Sequence, residues 1–131
     1  MRPQTLSELP GRYAVCRLAP GDPVPAPSAG AALWCAARTE AELSIVCPEP
    51  DAPRGARVDA GWAALALAGP FALEGEFGIL SSVLAPLATA EVSIFALSTF
   101  DTDYLLVHAH ALPAAASALR AAGHAVILRE A

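Results

Sequence analysis

The sequence contains no lysine, and this absence removes two groups of catalytic motif. A Walker A phosphate loop needs a lysine after its glycines, and a Ser-x-x-Lys nucleophile needs one three residues after its serine. The Gly-x-Ser-x-Gly pattern of hydrolases is missing as well. No motif indicates an enzyme, so we expect no catalytic residues and no cofactor.

Cysteines are few and apolar runs are short. The chain has three cysteines, Cys16, Cys35 and Cys47, which is an odd number, and they are not closely spaced. This pattern is typical of reduced thiols and not of a disulfide framework. Residues 1–10 lack a continuous apolar run, so we predict no secretory signal. The richest apolar stretch, 62–73, is about half as long as a segment that crosses a bilayer. We expect a cytoplasmic protein that does not bind membranes.

Positively charged residues are also scarce compared with acidic ones, and the formal net charge is therefore −5. No basic stripe with interleaved aromatic residues is present, and this excludes a typical nucleic-acid surface. His108 and His110 are spaced for one strand face, but no third metal ligand is near in sequence and His124 falls on another strand. We therefore predict no metal site and assign these histidines a structural or surface role.

The sequence does contain enough apolar side chains, 55% of residues, to fill a core. Nine of the 12 prolines precede residue 54, which indicates two parts with different connections. Pro48, Pro50, Pro53 and Gly55 predict a loop between them. We place one module at residues 1–57 and a second at 58–131.

A weak internal repeat supports two related modules. The segment 33–46 aligns with 94–107 at an offset of 61 residues. Each copy has an apolar strand, then two acids separated by one residue, then a second apolar strand; the acids are Glu40 and Glu42 in one copy and Asp101 and Asp103 in the other. Short apolar runs linked by turns predict antiparallel hairpins.

The second half predicts the element order βαββαβ. Strands are expected at 62–68, 92–98, 103–108 and 124–128. Phe77, Leu80, Leu84 and Leu87 form one helical stripe in 77–90, where Pro86 should introduce a kink, and Pro113 and Gly123 bracket a second helix. Two helices on one face of an antiparallel sheet give an α+β, ferredoxin-like arrangement.

The first half predicts a shortened copy of this plan. Strands are expected at 12–18, 33–37 and 43–47, and the prolines between residues 20 and 27 leave room for a brief helix at 28–32 at most. Ile94, Phe95 and Leu97 make both faces of their strand apolar, so we expect a second module or subunit to cover one face and the protein to form a homo-oligomer.

Several stretches resemble the ACT-domain superfamily. Residues 12–18 and 38–47 are similar to the first module of small bacterial two-ACT proteins related to the eukaryotic cytosolic arginine sensors. Gly78-Ile79-Leu80 and above all the string from Ser98 to Val107, Ser-Thr-Phe-Asp-Thr-Asp-Tyr-Leu-Leu-Val, resemble the second. This resemblance implies tandem ACT modules across residues 5–129, with the first one shortened.

The resemblance further implies a regulatory protein that binds a free amino acid at an ACT module interface. The signal would pass allosterically to an unknown regulated protein, through changed packing of modules or subunits. The alternative is a ligand-free protein-interaction or oligomerisation module. The site residues implied are Glu74, Gly75, Phe77, Gly78, Ile79, Ser98, Thr99, Phe100, Asp101 and Asp103.

The residue types suit the two poles of an amino acid. Gly75 and Gly78 let a carboxylate approach the start of a helix, where backbone N–H groups point outward, although such glycines also shape ordinary turns. Asp101 and Asp103 can hold an ammonium group, although aspartate is also a common turn residue. Glu74 and Glu76 would suit a basic side chain on the ligand or, equally, serve as an acidic first turn.

Overall fold

The computed structural model describes residues 2–130 of the chain. This part of the chain contains eight strands and two α-helices. In chain order they are β1 (Thr5–Glu8), β2 (Tyr13–Leu18), β3 (Cys35–Arg38), β4 (Leu43–Pro48), β5 (Arg57–Leu67), α1 (Ile79–Thr89), β6 (Ile94–Ser98), β7 (Asp103–His108), α2 (Leu112–Ala121) and β8 (Ala125–Ile127). The predicted elements are confirmed, most of them within two residues at each end. Strand β5 begins five residues earlier than predicted, and β1 was not predicted at all.

The chain divides into two compact units. The C-terminal unit comprises residues 1–10 and 63–131, and the middle unit comprises residues 11–62. The module boundary predicted from the sequence assigns residues 1–10 to the first module. Strand β1 instead pairs with β5 and β8, so it belongs to the C-terminal unit. Strand β5 contributes residues to both units.

The C-terminal unit has the ferredoxin-like βαββαβ order with one additional strand. Its strands lie in the order β6-β7-β5-β1-β8. Strand β1 pairs antiparallel with β5, as the last strand of a ferredoxin-like module would, and β8 pairs parallel with β1. A strand from the start of the chain therefore lies between the first and last strands of the βαββαβ motif. Its Leu6 is fully buried.

Both helices pack on the apolar face of this unit. Strand residues two apart face the core, as the period of a β-strand requires, and the helices contribute the opposite side. The buried cluster comprises Leu6, Ala63, Leu65, Leu67, Val83, Leu87, Leu105, Val107, Leu112, Ala115, Ala116, Leu119 and Val126. The helical stripe predicted from residue 77 is wrong at its first member, because α1 begins only at Ile79 and Phe77 is 90% exposed.

A buried histidine compensates for the proline inside α1. Pro86 has no N–H, so it cannot donate to the carbonyl of Ser82 four residues earlier. The ring Nε2 of His124 lies 3.0 Å from that carbonyl, and the N–H of Gln4 donates to Nδ1 over 2.9 Å. Since a carbonyl only accepts, His124 carries its proton on Nε2. Its ring therefore links the N-terminal segment to α1.

The middle unit keeps the strand order of the same motif without its helices. Its strands lie in the order β3-β4-β2-β5, with β5 contributing residues 57–62. These are the second, third, first and fourth strands of the unit. No α-helix occurs between residues 11 and 62, and the brief helix expected at 28–32 is absent from this described segment. Ala14, Cys16, Leu43, Ile45 and Cys47 form its core.

The two units share a structural repeat, but its offset is 60 residues and not 61. The N–H of Thr39 donates to the carbonyl of Glu42 over 2.9 Å, and Thr99 donates to Thr102 in the same way over 2.8 Å. Strands β4 and β7 begin at residues 43 and 103. The acid pairs that suggested the repeat are therefore one position out of register and do not occupy equivalent places.

Candidate functional site

The start of α1 carries backbone N–H groups without a side-chain cap. Gly78 precedes the helix with a φ of 70°, a left-handed conformation that glycine adopts without steric cost. No acidic residue lies in the first turn of α1. The positive end of the helix dipole is therefore available to an anion at this point.

The turn between β6 and β7 presents carboxylates at the other side of the site. The Ser98 hydroxyl donates to Oδ1 of Asp103, so this carboxylate is held in place. The Asp101 side chain is exposed and makes no hydrogen bond or ion pair with the rest of residues 2–130. Asp101 is therefore free to receive a cation from solution.

Two hydrogen bonds hold this turn against the segment that follows β5. The N–H of Phe71 donates to the carbonyl of Asp101 over 2.6 Å, and the Thr102 hydroxyl donates to the carbonyl of Leu67 over 2.7 Å. Gly69 lies at the same contact. Residues about 30 positions apart in sequence thereby form one wall.

The helix start and the hairpin turn enclose a cleft of about 400 Å³, which we call the main cleft. Three segments of the C-terminal unit form it: the loop after β5, the first turn of α1 and the β6–β7 turn. Its lining residues are Phe71, Ala72, Leu73, Glu76, Gly78, Ile79, Leu80, Ser81, Ser98, Thr99, Phe100, Asp101, Thr102 and Asp103.

A second cavity of about 280 Å³, which we call the side cavity, lies across the same loop. It shares Glu76, Gly78 and Ile79 with the main cleft. Its other lining residues are Arg2, Gln4, Gly75, Phe77 and Ser82. The two spaces therefore meet at the start of α1.

Glu76 is fixed between these spaces by two contacts. Its Oε2 accepts a hydrogen bond from the N–H of Ala72 over 2.6 Å, and its Oε1 lies 3.1 Å from the guanidinium of Arg2. The Ala72 N–H, followed by Arg2, lowers the pKa of the Glu76 carboxyl below its ordinary value. Glu76 is therefore ionised at neutral pH.

The structure brings most of the predicted site residues together. Seven line the main cleft: Gly78, Ile79, Ser98, Thr99, Phe100, Asp101 and Asp103. Gly75 and Phe77 line the side cavity, and the exposed Glu74 lines neither space. The ligand role of all ten stays a prediction.

Several lining residues were not predicted. Phe71, Leu73 and Thr102 belong to segments adjacent to predicted ones, so a wider window around the motif would have found them. Arg2 and Gln4 carry no such signal. They reach the site only because β1 pairs inside the sheet of the C-terminal unit, and a four-residue strand between Pro3 and Pro10 has little sequence pattern.

The other polar groups considered in the sequence do not form a site. Glu40 and Glu42 belong to the β3–β4 turn, which Thr39 closes. The rings of His108 and His110 stack with centroids 5.5 Å apart. Among residues 2–130, no three His, Cys, Asp or Glu side chains converge as metal ligands. Within residues 2–130 no helix combines the length and the apolar character needed to cross a membrane.

Two family models match the chain. Residues 57–121 match the model described as ACT domain, and residues 11–55 match a second model, described as an N-terminal domain. The ACT domain is a regulatory domain, and no catalytic family is indicated. No curated protein matches the chain.

Solved structures share the fold over almost the whole chain. A protein from Agrobacterium tumefaciens is 39% identical with a TM-score of 0.90, and the alignment covers 100% of this chain and 97% of that one. A Vibrio cholerae protein of unknown function, described as a possible transport protein, is 14% identical, with a TM-score of 0.67 and coverage of 91% and 89%. The ligand-free regulatory subunit of aspartate kinase from Thermus thermophilus is 10% identical, with a TM-score of 0.62 and coverage of 90% and 96%. At the two low identities the likeness concerns the fold alone.

Proposed function

Residues 57–121 of this chain belong to the ACT domain family, and on that premise we propose that the protein is a regulator that binds a free amino acid in the main cleft. The single observation that carries the proposal is the meeting of the α1 start with the β6–β7 turn. The first offers backbone N–H groups and a positive helix end, and the second offers the unpaired carboxylate of Asp101. The carboxylate and ammonium of an amino acid need such a pair of opposite poles.

The size of the main cleft is consistent with this ligand class. Small-molecule sites occupy roughly 300–1,000 Å³, and the main cleft holds about 400 Å³. Phe71, Leu73 and Ile79 supply apolar surface for the carbon skeleton of a ligand. The space suits a single amino acid better than a nucleotide or a peptide.

The charges around the main cleft favour a ligand with a basic side chain. Asp101 and Asp103 line the cleft together with Glu76, which is paired with Arg2, and the lining includes no arginine. An acidic side chain would be repelled by these carboxylates, whereas a basic one would be attracted. We therefore rank basic amino acids above neutral ones, and neutral ones above acidic ones.

Exposed apolar side chains beside the cleft support a homo-oligomer. Phe77, Phe100 and Leu73 are 90%, 76% and 70% exposed. Clusters of this kind mark interaction surfaces. A second copy of the chain that covers these side chains would contact residues at the cleft. Ligand binding would then change subunit packing and the activity of a regulated protein.

A thermal-shift screen against the twenty standard amino acids tests the proposal. A ligand present at 100 times its dissociation constant stabilises the folded state by about 2.7 kcal/mol. In a protein of this size such a gain raises the melting temperature by several degrees. We expect one or two amino acids to produce this shift, with a basic one among them.

Matched variants connect the shift to the cleft. Asp101→Asn should abolish it, while Glu40→Gln, which removes an exposed turn carboxylate in the middle unit, should leave it unchanged. If no amino acid shifts the wild-type protein, the proposal fails. A ligand-free interaction module is then the better account of the exposed apolar residues.

A further inference from the structure

The N-terminal segment, residues 2–4, places a cation beside the proposed amino-acid site. Arg2 and Gln4 both line the side cavity, next to Gly78 and the start of α1. Arg2 is the one basic residue among the residues that line the two spaces. Arg2 lies near the N-terminus, far in sequence from the ACT-like string Ser98 to Val107.

Buried contacts hold this segment in place. Gln4 is only 5% exposed, and its backbone N–H donates to His124 Nδ1 over 2.9 Å. Its carbonyl accepts from the N–H of Ala125 over 2.9 Å, and its side-chain amide donates to the carbonyl of Arg2 over 3.1 Å. The backbone at Arg2 is therefore anchored to the core.

The side chain of Arg2 is oriented by an ion pair but keeps hydrogen-bond donors for a further partner. Its Nη2 contacts Oε1 of Glu76 over 3.1 Å, while 63% of the side chain is exposed. A guanidinium has five N–H donors, so several remain for another acceptor. Planar guanidinium groups bind carboxylates in a bidentate manner, which gives both charge and geometric selectivity.

We propose that Arg2 binds the α-carboxylate of the ligand, together with the backbone N–H groups at the start of α1, and that Glu76 positions the Arg2 guanidinium for this contact. The inference rests on the proposed function. It divides the site by charge: the side cavity receives the carboxylate, and the main cleft receives the ammonium and the side chain. Gly78 lines both spaces, so a ligand that occupies both lies against its backbone.

Pairs of amino acids and their α-carboxamides test this role. The amide keeps the ammonium and the side chain but removes the negative charge, so it cannot use the guanidinium fully. Dissociation constants for the amino acid with the largest thermal shift and for its amide are measured by calorimetry with wild type, Arg2→Gln and Arg2→Lys. Arg129→Gln, an exposed arginine of the same unit outside both spaces, is the matched control.

The expected result is a loss of discrimination between acid and amide. Arg2→Gln should weaken binding of the amino acid about 10- to 100-fold, as for the loss of a charge-assisted hydrogen bond, and change binding of the amide less than about threefold. Arg2→Lys should retain part of the discrimination, and Arg129→Gln should retain all of it. The melting temperatures of the unliganded variants show that each is folded.

Two other outcomes overturn the inference. Equal weakening of acid and amide by Arg2→Gln would mean that Arg2 only holds the loop, and no weakening of either would mean that it has no role in binding. In both cases the wild-type protein still binds an amino acid, so the proposed function survives. If the wild-type protein binds no amino acid, both proposals fall together.

Discussion

Gly69 determines how closely the loop after β5 approaches the β6–β7 turn. A Cβ atom at this position would lie 2.8 Å from the carbonyl oxygen of Asp101 and 3.1 Å from the Cβ of Thr102. The first distance is shorter than the non-bonded contacts that Cβ atoms make, and the oxygen belongs to the backbone. This wall of the main cleft can therefore form only because Gly69 has no side chain.

Replacing Gly69 with alanine should destabilise the protein by about 1–3 kcal/mol, because the hairpin turn must move away. It should also weaken amino-acid binding, since Asp101 moves with the turn. Urea unfolding measures the first effect and calorimetry the second. Gly21→Ala is the control, because a Cβ there has open space, and it should change stability by less than about 0.5 kcal/mol. Equal stability of the two variants would contradict this account of the contact.

Two buried thiols give the middle unit a pH dependence in the alkaline range. Cys16 and Cys47 lie on one face of the β2–β4 pair, where their side chains are hydrogen-bonded to each other. Burial raises the pKa of Cys47 to about 12, and the neighbouring Cys16 thiol adds to the rise. Burial also raises the pKa of Cys16. Both thiols are therefore neutral and unreactive in the folded protein.

We predict that stability falls as the pH rises from about 9 toward 12. The Cys47 thiol of the unfolded chain ionises first, near its ordinary pKa of 9.0, while the same thiol of the folded protein stays protonated. Ionisation of Cys47 in the unfolded chain alone lowers the free energy of unfolding by up to about 1.4 kcal/mol per pH unit in this window. Cys16, whose pKa is also raised by burial, acts in the same direction. Urea unfolding between about pH 8 and pH 10.5 measures the slope. Cys47→Ala should start less stable and decline less steeply, whereas Cys35→Ala should keep the wild-type slope; identical slopes in all three would contradict the prediction.

At the scale of elements, α1 tolerates an internal proline because another element supplies the missing donor. His124, the residue before β8, donates its Nε2–H to the Ser82 carbonyl. It also accepts from the N–H of Gln4, so one ring satisfies two buried backbone groups. Leaving either group unpaired would cost about 1–3 kcal/mol.

A double-mutant cycle tests this compensation. His124→Phe keeps the ring volume but loses both hydrogen bonds, and should destabilise the protein by about 2–4 kcal/mol. In a Pro86→Ala background the new N–H of residue 86 can donate to Ser82, so the same change should cost less by about 1 kcal/mol or more. Additive effects in urea unfolding would show that the proline and the histidine are independent.

The sequence predicted the elements of the C-terminal unit because they carry strong local signals. Pro113 and Gly123 bracket α2, and the apolar runs around Phe95 and Leu106 identify the hairpin. Strand β1 could not be found in this way, since its position depends on pairing with residues about 60 and 120 positions away. Arg2 and Gln4 were missed for the same reason, whereas the α1 start and the β6–β7 turn were identified by motif.

At the scale of the whole molecule, the C-terminal unit is built from both ends of the chain. The sequence boundary at residue 57 implies that residues 58–131 fold alone as a complete module. The strand order indicates otherwise, because without β1 the residues Leu67 and Val126 both lose their partner Leu6.

We therefore predict that the fragment 58–131 does not fold cooperatively. Residues 1–10 joined by a short flexible linker to residues 63–131 should fold, because the N–H of Leu9 already donates to the carbonyl of Ala64 over 2.8 Å. Thermal melts followed by circular dichroism compare the two. A cooperative melt of 58–131 would show that β1 is dispensable and would support the boundary drawn from the sequence.

The central claim for the whole molecule is that a free amino acid binds where α1 begins and the β6–β7 turn ends. The most direct measurement is an NMR titration of the ¹⁵N-labelled protein with the amino acid that gives the largest thermal shift. We predict shift changes concentrated at residues 71–81 and 98–103, with Arg2 and Gln4 among the next affected. Changes concentrated instead around Leu18, residues 22–25 and Pro53-Arg54, which line a separate cavity of about 270 Å³ in the middle unit, would contradict the assignment of the site.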